Sequence, residues 1–389
     1  MSESSQTSRS PELYQPGSDF EFDMGSTVAN TQASGKRPRH TNDSEASLPT
    51  HKELSNFGRI YSRQDDPFTT IDAIVDFGIK HQHADSVNGT IGGTNPATLS
   101  RGDHRLIHSW DLLCSIIPNF RALMLALSNN YSHSSRKVAC QKIYHGVTTV
   151  RSDDTASLKT CIVSYIRADP TDSISPAISI KGKFKDDRGF CHPATASLLC
   201  PVMYPDTPET YNAILSGRLP VTTTMLPRFL FPDDHVYDPD DISKDLLRGH
   251  VMYRAAKHIF QGPSAALQGP GSHRGKQGNA SICGITTMTP RTIAYVATQV
   301  RFALSSTSSW TPRDGTFSYT DFYWHIVGLL DDEDDDMEGP EIIRLYNYHV
   351  FGTEDPDHTT DTTPELVNQY DLIKQQRAAK RARISYIDN

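Results

Sequence analysis

Apolar residues recur every three or four positions through much of the chain, which is the spacing of helices that bury one face. The stretch 104–117 shows it with Leu106, Trp110 and Leu113, and Pro118 ends the run because proline cannot continue a helix. The same spacing predicts further helices along the chain. They fall at about 71–79, 119–129, 135–147, 157–167, 240–261, 289–304, 320–330 and 341–351.

The helix predicted from Thr289 is apolar on two sides. Thr289 and Pro290 suit its first positions, because threonine caps a helix and proline has no amide hydrogen to leave unpaired there. Val296 and Val300 lie on one face, and Tyr295 lies nearly opposite. A helix with two apolar faces is buried on both, so this one is expected at the centre of the fold.

Ten prolines interrupt residues 169–240, which excludes long continuous helices there. We expect loops and short helices in this stretch, with a minor β element near 178–180 or 221–223. The whole pattern therefore predicts a mainly α fold. It is a single helical domain with an irregular proline-rich insertion and disordered tails.

Polar residues without periodicity fill both ends of the chain, and such segments cannot bury enough surface to offset the entropy of ordering. We predict a disordered tail at 1–56, followed by a short helix and a Gly/Asn-rich linker at 57–99. The helical domain is predicted at 100–352. The second tail, 353–389, is mostly disordered and ends in a basic helix.

Composition narrows the class of protein. Of 389 residues, 37% are hydrophobic, mean hydropathy is −0.49 and the formal net charge is −8, which argues against a generic polyanion binder. No apolar run reaches the roughly 20 residues that span a bilayer. The first residues, 1–5, lack the apolar core of a secretory signal. Six scattered cysteines without a C-x-x-C pair favour a reduced, intracellular protein that is not secreted and has no membrane partner.

Motifs of familiar enzymes are absent or broken. The patterns G-x-S-x-G, H-E-x-x-H and [DE]-x-K do not occur. The Gly-rich segment 271–277 departs from a phosphate-binding loop in its spacing and in its last residue, Gln277. Cys191, His192 and Cys200 match no familiar zinc spacing. We therefore expect no metal and no cofactor.

Charged residues around the irregular region and on the buried helices are the candidate binding residues. They are Arg151, Asp154, Asp187, Arg188, Lys257 and Arg301. Arg151 and Asp154 precede a predicted helix, and Asp187 and Arg188 suit a turn. Two interpretations stay open: helix caps with local ion partners, or the walls of a pocket. In an enzyme, Asp153, Asp154 and Asp187 would be the candidates to hold metal ions.

Each tail carries a basic cluster that resembles a nuclear-import peptide. The clusters are Lys36, Arg37 and Arg39, and Lys380, Arg381 and Arg383. They indicate either residence in the nucleus or contact with nucleic-acid phosphates. The acidic run 331–336 is expected in a solvated loop or against a basic partner surface.

Several motifs stand in an order that resembles one known family. They are Arg151–Asp154, Asp187–Phe190, Leu199–Pro201, Lys257–Phe260, Gly278–Ala280 and the long run Thr289–Ser306. Over about 100–352 the chain is similar to a multicopy family of unknown function from mushroom-forming (basidiomycete) fungi. Cys283 stands where the family implies a histidine, which weakens a metal role there. The resemblance implies no activity, and the copy number suggests a link to mobile elements.

Three hypotheses of function follow. The first is a non-enzymatic intracellular binding module, nuclear and associated with nucleic acid or chromatin, which rests on the absent catalytic motifs and the basic tails. The second is a metal-dependent phosphoryl-transfer or nuclease-like enzyme linked to mobile elements, with a pocket near Asp153, Asp187, Arg188 and Arg301. The third is a protein-interaction scaffold that uses the acidic run.

Overall fold

The structure is a computed structural model that describes residues 49–87, 99–129, 133–179, 184–272, 277–331 and 338–353, all within one compact unit. In these residues the α-helices are α1 (His51–Gln64), α2 (Ile71–Val87), α3 (Arg101–Ile116), α4 (Phe120–Asn129), α5 (His133–Cys161), α6 (Pro193–Leu199), α7 (Pro208–Leu215), α8 (His250–Phe260), α9 (Asn279–Cys283), α10 (Pro290–Leu304), α11 (Tyr319–Leu330) and α12 (Glu338–Phe351). The strands β1 (Arg313–Asp314) and β2 (Phe317–Ser318) form an antiparallel hairpin. The predicted mainly helical fold is confirmed.

The predicted disordered tail at 1–56 was wrong at its C-terminal end, because residues 51–56 belong to helix α1. Thr50 and Glu53 form a capping box: the Glu53 carboxylate accepts a hydrogen bond from the Thr50 amide at 2.7 Å, and the Thr50 hydroxyl accepts one from the Glu53 amide. Leu54 and Tyr61 on the same helix are buried. The short helix predicted near 71–79 is part of α2, which continues to Val87, into the stretch predicted as a linker, and residues 57–64 belong to α1.

Other parts of the sequence predictions lie outside the described residues. They are the tail residues 1–48 and 354–389 with both basic clusters, the linker residues 88–98, most of the Gly-rich segment (273–276) and most of the acidic run (332–336).

Helix α5 is one continuous helix of 29 residues where two separate helices were predicted. Polar residues fill much of 148–153, between the two predicted helices, and their hydroxyl groups bond to carbonyls of the preceding turn. The Thr149 hydroxyl donates to the His145 carbonyl at 2.7 Å, and the Ser152 hydroxyl donates to the Thr148 carbonyl at 3.0 Å. The interpretation of Asp154 as a helix cap was therefore wrong, since Asp154, like the neighbouring Asp153, lies inside α5.

Two large hydrophobic cores share helix α5. The first core is built by α1 to α4 and the first half of α5, and the second by the second half of α5 with α8, α10, α11 and α12. Cys140, Ile143 and Val147 of α5 belong to the first core, whereas Leu158 belongs to the second. Because one helix enters both, the two cores are joined without a linker.

Helix α10 lies at the centre of the second core, as its two apolar faces predicted. Every residue from Thr292 to Leu304 is buried. The Thr289 hydroxyl accepts a hydrogen bond from the Thr292 amide, and Pro290 takes the first helical turn. The sequence pattern thus predicted both the start of this helix and its burial.

In the described part of the proline-rich stretch the helices are the short α6 and α7 and two single 3-10 turns, and Pro201 and Pro227 form an isolated β-bridge. Neither residues 178–179 nor residues 221–223 form a strand; the minor β element is the hairpin near 313–318 instead. Helix α8 begins at His250 rather than near 240. Asp245 and Leu247 have φ of 61° and 62°, and this left-handed backbone excludes a continuous helix from 240.

Candidate anion-binding cleft

A cleft of about 850 Å³ opens between α3, the start of α10 and the second half of α11. Its volume falls in the range of about 300–1,000 Å³ that is usual for ligand sites. The residues around it are Arg101, His104, Arg105, His108, Thr289, Pro290, Arg291, Trp324, Val327, Gly328 and Asp331. We call this site the cationic cleft.

Helix α3 brings four basic side chains to one wall of the cationic cleft. Arg101, His104, Arg105 and His108 follow the i, i+3, i+4, i+7 spacing, which places them on one face of a helix. A capping box between Ser100 and Asp103 fixes the start of α3, immediately before the first of them. The opposite face is held by the first core, so the basic face is turned outward.

Trp324 of α11 contacts two arginines of the cleft. The Arg105 guanidinium carbon lies 3.9 Å from the centre of the Trp324 ring, and that of Arg291 lies 5.8 Å away. Burial lowers the pKa of Arg105, and the nearby charge of Arg101 lowers it further. Among the described residues, neither Arg101 nor Arg105 forms an ion pair with a carboxylate. The cleft therefore holds positive charge that its own walls do not neutralise.

Arg291 forms the floor of the cationic cleft and is held in place by two carboxylates. Its Nε atom lies 2.7 Å from Oδ1 of Asp65, whose side chain is 0% exposed, and its Nη1 atom lies 3.4 Å from Oδ2 of Asp331. Asp65 also accepts a hydrogen bond of 2.7 Å from the Ser109 hydroxyl and lies 3.3 Å from His108 Nδ1. These contacts fix α3 against α10, so the cleft has a rigid base.

None of the six residues proposed from sequence lines the cationic cleft. Asp154 is buried in a bidentate pair with Arg63, at 2.7 and 2.9 Å, and accepts a third hydrogen bond from the Tyr295 hydroxyl at 2.8 Å. Arg151 donates to the Pro67 carbonyl and lies 5.1 Å from the Trp310 ring centre. These two residues connect α5 to neighbouring segments.

Arg188 and Lys257 are buried cations that bind backbone carbonyls. Arg188 Nη1 donates to the carbonyls of Lys159 and Ala303 at 2.9 and 3.0 Å. Lys257 Nζ donates to the carbonyls of Gln268 and Gly269, both at 2.6 Å. Burial lowers the pKa of both side chains. Each cation thus holds loop backbone against a core helix.

Asp187 and Arg301 also have partners within the fold. Asp187 Oδ2 accepts a hydrogen bond of 2.6 Å from the Ser179 amide. Arg301 lies 3.9 Å from the Asp314 carboxylate and 4.4 Å from the Phe317 ring centre, and therefore connects α10 to the hairpin. The six candidates are spread over α5, the loop before α6, α8 and α10, and none of them lines the cationic cleft.

The candidates for metal chemistry are also spread apart. Within the described residues, no group of three or more His, Cys, Asp or Glu side chains is arranged to hold a metal ion. His192 caps α6, and Asp153 pairs with Arg59 at the surface. No single helix in the described part is long and apolar enough to cross a membrane; α3 and α4 reach that length only as a pair bent by 106°.

The helices around the second core form a helical domain, and the family to which this domain belongs has no assigned activity. The family model described as a Family of unknown function (DUF6698) matches residues 145–351, more than half of the chain, and the chain belongs to this family. The resemblance over about 100–352 to a family of unknown function is confirmed over that narrower range. No curated protein and no solved structure matches the chain.

The family match begins inside α5, so it covers the second core and leaves α1 to α4 outside. The cationic cleft combines both parts, since α3 lies outside the match and α10 and α11 lie inside it. Sequence reasoning missed this site because it followed the apolar face of α3. The signal was present on the opposite face, in the helical spacing of Arg101, His104, Arg105 and His108.

Proposed function

We propose that the protein is a non-enzymatic binding module for nucleic acid, whose phosphates bind in the cationic cleft. The observation that carries the proposal is the basic face of α3. Arg105 lies against Trp324 and Arg101 lines the same cleft, and neither has a carboxylate partner among the described residues. Sequence-independent nucleic-acid sites combine a positively charged groove with an aromatic side chain in this way.

The net charge of the whole chain is negative, so a concentration of positive charge in one cleft distinguishes that cleft from the rest of the surface. A protein of formal net charge −8 does not attract polyanions over its whole surface. Arg101 and Arg105 of α3 concentrate positive charge in one concave site, where phosphate contacts contribute most. Binding is therefore expected through the cleft rather than through the general surface.

Nuclear residence belongs to the same proposal and is supported by the sequence alone. Two basic clusters, at 36–39 and 380–383, resemble import peptides. A fluorescent fusion is expected in the nucleus and is expected to leave it when both clusters are changed to alanine. A fusion that stays cytoplasmic with both clusters intact contradicts this part of the proposal.

Fluorescence anisotropy of labelled 20-mer DNA and RNA, titrated with protein over a series of KCl concentrations, tests the binding. The association constant is expected to fall with salt. On a plot of the logarithm of the association constant against that of the KCl concentration, the double variant Arg101→Ala/Arg105→Ala is expected to have a shallower slope. The slope is expected to change by about 0.7 for each single-strand phosphate that the variant no longer neutralises. Arg218→Ala is the matched control, because Arg218 is exposed, lies outside the cationic cleft and donates from its side chain to the nearby Ser216 hydroxyl. Absence of binding at the lowest salt, or a double variant equal to wild type, overturns the proposal.

A further inference from the structure

A second cavity adjoins the cationic cleft. It has a volume of about 250 Å³ and shares His108, Thr289 and Arg291 with the cleft. Its other lining residues are Gln64, Leu112, Gly284, Ile285, Thr286, Thr287 and Thr292. We call it the side pocket. Because its volume is below the usual range for a whole small-molecule ligand, it suits one part of a larger ligand.

The lining of the side pocket differs in kind from that of the cleft. Leu112 and Ile285 supply apolar walls, and Gln64 and Thr286 supply an amide and a hydroxyl. The guanidinium group that borders the side pocket belongs to Arg291, and it already forms ion pairs with Asp65 and Asp331. A phosphate would therefore find little free charge here, whereas a nucleobase has apolar faces and a hydrogen-bonding edge that match these walls.

Polar groups that line the side pocket have hydrogen-bonding capacity left to pair with the edge of a nucleobase. Gln64 Nε2 makes one long contact, 3.4 Å to the Cys283 carbonyl, and its amide oxygen is an acceptor. Thr286 is exposed, and its hydroxyl has no hydrogen-bond partner among the described residues. Both a donor and an acceptor are thus presented beside the apolar walls.

We propose that the protein binds single-stranded nucleic acid and that one base leaves the stack and enters the side pocket while adjacent phosphates lie on the basic face of α3. This inference rests on the proposed function, because it needs the strand to lie in the cationic cleft. His108 and Arg291, which border both cavities, mark the point where the base would turn inward. A duplex would first have to unpair a base, which costs free energy, so single strands are favoured.

Two probes and two variants test the inference. The probes are a labelled 12-mer single strand and its fully abasic counterpart with the same phosphates. The filling variant is Thr286→Trp, which places a large ring in the side pocket without removing a hydrogen bond between described residues. The matched control is Ser308→Trp, because Ser308 is exposed and lines neither cavity. Circular dichroism and the melting temperature verify that each variant folds.

Wild type and Ser308→Trp are expected to bind the base-containing strand about tenfold or more tightly than the abasic strand, since a bound base contributes substantially to affinity. Thr286→Trp is expected to lose most of this difference and to keep its affinity for the abasic strand. Equal affinities of wild type for both probes, or an unchanged preference in Thr286→Trp, overturn the base pocket and leave phosphate binding intact. Failure of wild type to bind either probe at low salt overturns the proposed function itself.

Discussion

Gly58 of α1 and Gly146 of α5 keep the backbones of the two helices in direct contact. A Cβ atom on Gly58 would lie 1.9 Å from the carbonyl oxygen of Ile143, and one on Gly146 would lie 1.9 Å from that of Ser55. Contacts that short do not exist between real atoms, so no side chain fits at either position. The two glycines explain how α1, which lies outside the family match, packs so closely on the helix that enters it.

Gly58→Ala is expected to destabilise the fold by about 1–3 kcal/mol or more, because the helices must separate to admit the methyl group. Gly328→Ala is the matched control on α11, where nothing lies within 4 Å of an added Cβ. There alanine is expected to stabilise by up to about 1 kcal/mol through its higher helix propensity. Urea unfolding of both variants measures the contrast, and equal effects would show that α1 and α5 are not in close contact.

Asp154→Ala is expected to lower the free energy of unfolding by about 3–5 kcal/mol, because it leaves the buried Arg63 guanidinium without its counter-charge. The neighbouring residue provides the control. Asp153 pairs with Arg59 at the surface and its side chain is 56% exposed. Asp153→Ala is therefore expected to cost less than about 1 kcal/mol. Similar midpoints for the two variants in chemical unfolding would contradict the buried pair.

His258 makes the fold sensitive to acid. Burial lowers its pKa to about 4, and its ring nitrogens lie 2.8 Å from the Ser157 hydroxyl and 2.9 Å from that of Tyr165. Between pH 6.5 and about 4 the unfolded chain binds a proton that the folded state does not. This contribution to stability is therefore complete above pH 6.5 and is lost as the pH falls towards 4, by about 3 kcal/mol in all.

The measurement is the free energy of unfolding of wild type and His258→Gln at several pH values. Glutamine keeps hydrogen-bonding capacity and does not titrate. Wild type is expected to lose stability more steeply than the variant between pH 6.5 and 4. Parallel curves would mean that folding does not lower the pKa of His258.

Lys185 is a fully buried lysine whose ammonium position contacts the Phe302 carbonyl and the Ser305 hydroxyl, with no carboxylate partner among the described residues. Burial, together with the nearby charge of Arg188, lowers its pKa to about 6. From pH 10.5 down to about 6 the unfolded chain holds a proton that the folded chain lacks, so this residue reduces stability progressively as the pH falls.

Lys185→Met is therefore expected to be more stable than wild type at pH 7, by about 2 kcal/mol after the loss of hydrogen bonds is included. Its stability is expected to change less than that of wild type between pH 7 and 10. A variant that is less stable than wild type at pH 7, with the same pH dependence, would show that the lysine is charged in the folded state.

The elements that local patterns define could be predicted from the sequence. Thr289 and Pro290 marked the start of α10, and Pro118 marked the end of α3. The errors arose where distant residues decide the structure. Helix α5 continues through a polar stretch partly because Arg63, 91 positions away, neutralises Asp154. No local pattern contains that partner.

The candidate site was missed for a related reason. The four basic positions of α3 were visible as a helical stripe, but their meaning depends on Trp324 and Arg291, which α11 and α10 bring to them. Conversely, Arg188 and Lys257 were predicted to be binding residues because the sequence does not distinguish an arginine or lysine that is buried from one that is exposed. Only the carbonyl groups around them show that they hold the fold together.

Because α5 is one continuous helix, it limits where this chain could be joined to another by recombination. At 29 residues the helix is about 43 Å long, and the family boundary at 145 cuts it near the middle. A gene fusion at that boundary would separate Asp154 from Arg63 and would cut through the helix just before the glycine that α1 covers. In this chain, residues 145–351 are therefore expected to fold fully only when α1, or a substitute for it, accompanies them.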